Sequence, residues 1–247
     1  MPLPMIALYT DFGVGTPYAG QVRTVLARKA PGVPVIDLCH DLTPFKAQAA
    51  AYLLPGYVSE FPDNTIFIGV VDPGVGDETR RPAIVRAGAF WFVGPDNGIF
   101  NEVARRASQV EWWDITWQPR NLSPSFHGRD LFAPVAAQIA LGGNPPGDRA
   151  DPSSRIHTDW PTDLAEVIYI DHYGNAVLGL RAASMSKKTR LAITTHELRR
   201  ARTFADVTPG EPMWYENSNG LAEIAVNQGD AAGALGLTVG TPIEVRD

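Results

Sequence analysis

The chain has one cysteine, Cys39, in 247 residues. A lone thiol excludes an internal disulfide and suits a reducing compartment. There is no basic block either: 21 lysines and arginines stand against 27 aspartates and glutamates, a formal net charge of −6. That balance argues against nucleic acid as a partner. No apolar run reaches the roughly 20 residues of a membrane span, so no membrane partner is expected. Met1-Pro2-Leu3-Pro4 lacks the basic start and apolar core of a secretory leader, and the expected location is cytoplasmic. Without secretion the sequon Asn121-Leu122-Ser123 carries no meaning. The chain has no GxGxxG fingerprint and no Walker A lysine motif, so phosphate binding is not indicated. Cys39-His40 has no spaced His/Asp cluster around it, and His196-Glu197 lacks the second histidine of a zinc-protease helix. No metal and no cofactor are expected. Internal repeats and low-complexity tracts are absent.

What is present reads as globular protein. Hydrophobic residues make up 45% and charged residues 19%, and the length suits one large domain or two modest ones. The first part alternates strand and helix patterns. Strands are expected over 5–9, 33–38, 65–71, 83–85 and 90–93, and helices over 18–30, 44–57 and 129–141. This alternation predicts an α/β sandwich-type domain over 1–143. A turn-rich stretch opens at Gly142-Gly143-Asn144-Pro145-Pro146-Gly147, and a linker is expected over 144–160. Short strand patterns follow at 165–170, 176–180, 191–194, 221–226 and 242–245. They predict a smaller all-β domain over 161–247, a barrel or sandwich, with the barrel-like form preferred.

Two segments make poor sense as core: Val70-Val71-Asp72-Pro73-Gly74-Val75-Gly76 at the end of an apolar run, and Ser125-Phe126-His127-Gly128-Arg129-Asp130 before a helical pattern. Both put ionisable groups where one element meets the next, and ligands of α/β sheets bind at the carboxyl ends of strands. Asp72, Arg80 or Arg81, and His127 form a candidate acid/base and charge-stabilising set. Taken alone, Asp72 in Asp-Pro-Gly is a common turn start, the arginines are ordinary surface charges, and a lone histidine is more often structural. Asp11 follows a strand and is suited either to a turn or to accepting ribose hydroxyls. Tyr18, Phe45 and Tyr173 read first as packing residues.

These segments, taken with Tyr9-Thr10-Asp11-Phe12-Gly13, Pro95-Asp96-Asn97-Gly98 and Asn217-Ser218-Asn219-Gly220, resemble the S-adenosyl-L-methionine (SAM) hydrolases that form adenosine. These are the SAM hydroxide adenosyltransferases, relatives of the fluorinases and chlorinases. Five separated motifs in one order, from Asp11 to about Gly229, carry the resemblance. It implies SAM as a small-molecule substrate and in-line attack of activated water at the ribose C5′, giving adenosine and L-methionine. It also implies a homotrimer with active sites at subunit interfaces.

Residue by residue, the resemblance makes Asp72, Arg80 and His127 the catalytic set and Asp11 the ribose-binding acid. The loop Asp77-Glu78-Thr79 is one residue longer than the family spacing, so Arg81 remains open for the arginine's role. Phe45, Tyr18 and Phe126 would line the ligand. Ile170-Asp171-His172-Tyr173-Gly174-Asn175 resembles the family's Asp-x-Phe-Gly-Asn. It would place Asp171 on the methionine amino group and Asn175 at the adenine, with Tyr173 replacing a phenylalanine. Ser218 would meet the methionine end, and Glu223, Val226 and Gln228 lie on a segment whose backbone would reach the adenine edge. Asn217–Gly220 also reads as a hairpin turn. Three alternatives stand beside this reading: a SAM-dependent halogenase, a non-catalytic SAM or adenosine sensor and, more distantly, a metal-dependent hydrolase.

Overall fold

A computed structural model describes residues 4–77, 79–193 and 196–246. Met1 to Leu3, Glu78 and Thr194 figured in the sequence reading and lie outside these. The chain forms two compact units, Met1–His157 and Thr158–Asp247.

The first unit runs β1 Ile6–Thr10, α1 Pro17–Lys29, β2 Val35–Cys39, α2 Ala47–Leu53, α3 Pro55–Val58, β3 Ile66–Val70, β4 Pro82–Ala87, β5 Phe90–Pro95, α4 Asn101–Arg106, β6 Val110–Ile115, a π-helical turn Gly128–Phe132, α5 Ala133–Ala140 and β7 Gly147–Ala150. Its seven strands form one mixed sheet in the order β2-β1-β3-β5-β4-β6-β7. β2, β1, β3 and β5 are parallel, while β4, β6 and β7 pair antiparallel. Strand alternation divides the core between two faces. Ile6, Leu8, Ile66 and Ile68 pack with Val22 and Leu26 of α1 and Val135 and Ala136 of α5. On the other face Tyr9 donates to the Ala50 carbonyl of α2, and Phe67 stacks on Phe92. The connection from β1 to β2 therefore uses one face, and the return to β3 uses the other. That reversal makes the carboxyl ends of β1 and β3 the switch point of the sheet.

Two expected helices are divided, each at a proline. The helix expected over 44–57 is α2 followed by α3, with Pro55 at the start of the second. The helix expected over 129–141 begins as the π-helical turn, in which the Ala133 N–H donates to the Gly128 carbonyl. Pro134 has no N–H for the regular i→i−4 bond, and a widened turn accommodates that loss. Short elements α4, β6 and β7 were missed in the sequence. β7 lies within the expected linker 144–160 and is instead an edge strand on β6, so that linker is ordered in its first part.

The second unit contains β8 Leu164–Ile170, β9 Ala176–Arg181, β10 Arg190–Ile193, β11 His196–Leu198, β12 Pro212–Glu216, β13 Leu221–Val226, a short helix α6 Ala231–Leu235 and β14 Glu244–Arg246. A four-stranded sheet, β12-β13-β9-β8, and a three-stranded sheet, β11-β10-β14, share one core that includes Leu178, Ile224, Leu191, Ile193 and Trp214. Isolated bridges, Glu166 to Pro242 and Arg200 to Trp214, join the edges of the two sheets, and among the described residues no continuous closed barrel forms. The fully buried Trp214 donates its indole N–H to the Thr189 carbonyl.

β3 and β5 approach closely at two glycines. A Cβ on Gly94 would lie 2.1 Å from the Gly69 carbonyl oxygen and 2.9 Å from the Phe100 ring. Because the nearest atom is backbone, it has little room to yield. Gly94→Ala should destabilise the first unit by about 1–3 kcal/mol. A fall in the denaturation midpoint of that unit checks this, and an unchanged midpoint contradicts it.

Candidate active site

β1 and β3 end side by side, with Thr10 paired to Val70. The Asp11 N–H donates to the Val70 carbonyl at 3.1 Å. The two chains leave the sheet together, and each carries a carboxylate just beyond it, Asp11 and Asp72. Above them lies a cleft of about 450 Å³ lined by Asp11, Tyr18, Phe45, Asp72, Phe126 and His127 among others. Its size is that of a small-molecule site.

Sharing Asp72, His127 and Phe132 with the cleft, a smaller cavity of about 30 Å³ is lined also by Arg80 and Arg81 among others. A water needs roughly 10–15 Å³ by this measure, so the cavity is water-sized. Asp72 Oδ1 accepts from the Gly74 N–H at 3.1 Å and from Arg80 Nη1 at 3.4 Å. The Asp72 side chain is only 8% exposed, that of Arg80 40%. Gly74 lets Arg80 lie across the loop: a Cβ there would sit 2.3 Å from the guanidinium carbon. His127 precedes the π-helical turn, with its ring edge-on to Phe132.

Arg81 has a different partner. Its Nη1 is 2.8 Å from Asp114 Oδ2 on β6, which also accepts from Arg155 Nη2. Arg155 in turn reaches Asp96. Successive residues entering β4 point to opposite sides, so one arginine meets Asp72 and the next meets Asp114. The register left open in the sequence thus has Arg80 against Asp72.

Burial, more than anything else, raises the pKa of the Asp11 carboxyl, and neighbouring Asp72 adds to the effect. The Phe45 backbone N–H opposes it by donating to that carboxylate. Phe45 has φ 68, left-handed for a residue with a side chain, and leaves its ring 73% exposed at the cleft. Conformations of this kind cost of order 1–3 kcal/mol and cluster at ligand sites. Phe12, Tyr18 and Phe126 form a mutual cluster with centroids 5.4–6.0 Å apart. Gly128 is needed beneath it, because a Cβ would come within 2.9 Å of Phe12. The Arg129 guanidinium lies over Phe126 at 5.1 Å and pairs with Asp130.

The other expected residues belong to the second unit. Asp171 Oδ1 accepts from the backbone N–H groups of Tyr173 and Asn175, and Oδ2 accepts from Asn175 Nδ2. This turn between β8 and β9 leaves Tyr173 75% exposed and Asn175 buried. Glu223 is 6% exposed on β13. Its carboxylate accepts from the Tyr215 hydroxyl and from Asn217 Nδ2. Burial, then the Glu223 contact, raises the Tyr215 pKa. Ser218 sits in the hairpin turn between β12 and β13, where Asn217 Oδ1 accepts from the Asn219 and Leu221 N–H groups. Val226 is buried, and Gln228 is exposed with φ 56.

His40 braces the Asp11 loop. Its Nδ1 is 2.7 Å from Thr10 Oγ1, its carbonyl accepts from the Gly13 N–H, and its ring stacks on Phe12. Cys39 donates to Asp41, and burial pushes its thiol pKa up to about 12. Among the described residues no group of three or more His, Cys, Asp or Glu is arranged to hold a metal. Sequence reasoning missed Phe12 and Phe132 as cleft residues. Phe12 had a signal, its place beside Asp11, whereas Phe132 reads only as helix packing.

Comparison with known proteins gives one result throughout. Residues 6–147 match the model of the SAM hydroxide adenosyltransferase N-terminal domain, and residues 165–244 match that of its C-terminal domain. A protein of Thermus thermophilus named (R)-S-adenosyl-L-methionine hydrolase is 38% identical, covering 96% of this chain and 97% of its own. A fluorinase of an Actinoplanes species is more distant at 24% identity, covering 98% and 97%. The crystal structure of an uncharacterised conserved protein from Thermotoga maritima superposes with a TM-score of 0.87 at 32% identity, covering 98% and 100%.

Asp11 has a folded pKa above its unfolded value, so its ionisation opposes folding once pH exceeds the unfolded value of about 3.9. Asp11→Asn removes that cost. It should melt at or above the wild-type temperature at pH 7, and the advantage should vanish below about pH 3.9. A lower melting temperature at pH 7 would show that burial does not govern this group. Arg80→Ala should lower turnover at least tenfold, about 1.4 kcal/mol of barrier, while Arg81→Ala should cost much less. Arg80→Lys should recover only part, since an ammonium lacks the guanidinium fork. Steady-state rates check the order, and a loss confined to Arg81→Ala contradicts it.

Proposed function

The chain belongs to the SAM hydroxide adenosyltransferase family, and from that membership we propose that it hydrolyses SAM to adenosine and L-methionine. The observation that carries the proposal is the water-sized cavity between Asp72, Arg80 and His127, adjoining the cleft of Asp11.

SAM brings its own activated leaving group. Attack at C5′ breaks the C5′–S bond, and its electron pair returns to sulfur as neutral methionine thioether. The harder task is to make a nucleophile from water. Arg80 stabilises developing hydroxide while Asp72 and His127 hold and accept the proton. Such general-base help contributes about 10²–10⁴-fold. Holding water, C5′ and sulfur in line adds to it by proximity, and the apolar walls strip hydroxide of solvent. Asp11 accepts the ribose hydroxyls. Tyr18, Phe45 and Phe126 present rings to the adenosine and the sulfonium, where a cation over an aromatic face gains roughly 0.5–2 kcal/mol. None of these steps calls on a cofactor.

The rest of the substrate falls to the second unit: Asp171 to the methionine ammonium, Ser218 to its other end, and Asn175 to the adenine. The backbone around Glu223, Val226 and Gln228 takes the adenine edge, and Tyr173 stacks. The proposal includes a homotrimer whose sites form at subunit interfaces. It also includes a cytoplasmic location, in keeping with the single thiol.

The test is incubation of purified protein with SAM and identification of products. Adenosine and methionine should form at a rate independent of chloride and fluoride. Asp72→Ala and His127→Ala should lower turnover while SAM binding is largely kept. A 5′-haloadenosine, or binding without turnover, would sink the proposal.

A further inference from the structure

The Pro95-Asp96-Asn97-Gly98 turn has no part in the chemistry described so far. It follows β5, and its Gly98 has φ 90. The turn touches the Asp72–Arg80 loop at both ends. At one end Asn97 Nδ2 donates to the Val71 carbonyl at 2.7 Å. At the other the Asp96 N–H donates to the Arg81 carbonyl at 3.0 Å. The loop running from Asp72 to Arg80 is therefore held by two consecutive residues of one turn.

The first contact is the more telling. The Val70 carbonyl, last in β3, accepts from Asp11. The next carbonyl, that of Val71, lies past the end of the strand on a residue with no exposed surface. A buried carbonyl without a partner is unfavourable, and here a side-chain amide fills the role of a neighbouring strand. Asn97 keeps its own geometry because its Oδ1 accepts from the Ile99 N–H. The orientation of the Val71 peptide sets the direction in which Asp72 leaves its backbone. Asp72 Oδ1 then meets Gly74 and Arg80.

We propose that Asn97 is a positioning residue: through its amide on the Val71 carbonyl it aims the Asp72 carboxylate at Arg80 and the water-sized cavity. The inference rests on the proposed hydrolase reaction. Asn97 lines neither the cleft nor the water-sized cavity, so it would act only through Asp72. A misplacement of about an ångström can cost up to about a hundredfold in rate, so the expected signature is kinetic.

The experiment measures kcat and KM for SAM in Asn97→Ala and Asn97→Asp, each alone and combined with Asp72→Ala, beside thermal melting. Asn97→Asp retains the acceptor for Ile99, but loses the donor and places a carboxylate against the Val71 carbonyl. It serves where Asn97→Ala fails to fold. Both single variants should lower kcat by about tenfold to a hundredfold with KM changed by less than about threefold. In the Asp72→Ala background the same changes should cost less than about threefold, since the group they aim is gone. Equal losses in both backgrounds, or a fall in melting temperature with kcat intact, would overturn the inference. An active wild type with fully active Asn97 variants overturns the inference alone. A wild type that leaves SAM intact overturns the hydrolase reading, and the inference with it.

Discussion

The site depends on one pairing, that of β1 with β3. These parallel neighbours end together, with Thr10 opposite Val70, and the Asp11 N–H closes the last bond of the ladder onto Val70. The two carboxylates of the cleft are placed by reference to that edge. Asp11 and Asp72 emerge beside each other, close enough for the charge on Asp72 to oppose ionisation of Asp11. Two carboxylates at one strand edge need compensation. Arg80 supplies it on one side, and the Phe45 N–H supplies it on the other. The same switch point directs helices to opposite faces of the sheet and so leaves the edge uncovered for a ligand.

Around that edge, local strain and close approach are concentrated where function needs them. Phe45 takes a left-handed backbone that gives Asp11 an N–H and the cleft a ring. Gly74 and Gly128 leave space for an arginine and an aromatic cluster respectively. The π-helical turn after His127 is the widened start of a helix that contains Pro134. The rest of the unit is conventional by comparison, with apolar residues at alternating strand positions and helical spacing.

Much of this was legible in the sequence because the signals are local. Apolar runs ending in Asp-Phe-Gly or Asp-Pro-Gly mark strand ends, and the helical spacing of Val22, Val25 and Leu26 marks α1. The first-unit candidates Asp11, Tyr18, Phe45, Asp72, Phe126 and His127 line one cleft. What was missed is non-local. β6 exists because β4 offers it an edge and β7 because β6 does, and nothing in Gly147-Asp148-Arg149-Ala150 alone reads as strand. The two arginines could not be separated in the sequence, because their difference is Asp114, more than thirty residues away. The division of the second unit into two sheets follows from pairing order, which alternation does not encode. Asn97 reads as an ordinary turn residue until its amide is found on Val71.

In the proposed reaction, water held by Asp72, Arg80 and His127 attacks C5′. Turnover of SAM in ¹⁸O-labelled water tests it most directly. One labelled oxygen should appear in the 5′-hydroxyl of adenosine and none in methionine. Label in an amino-acid product such as homoserine, or unlabelled adenosine, would contradict it.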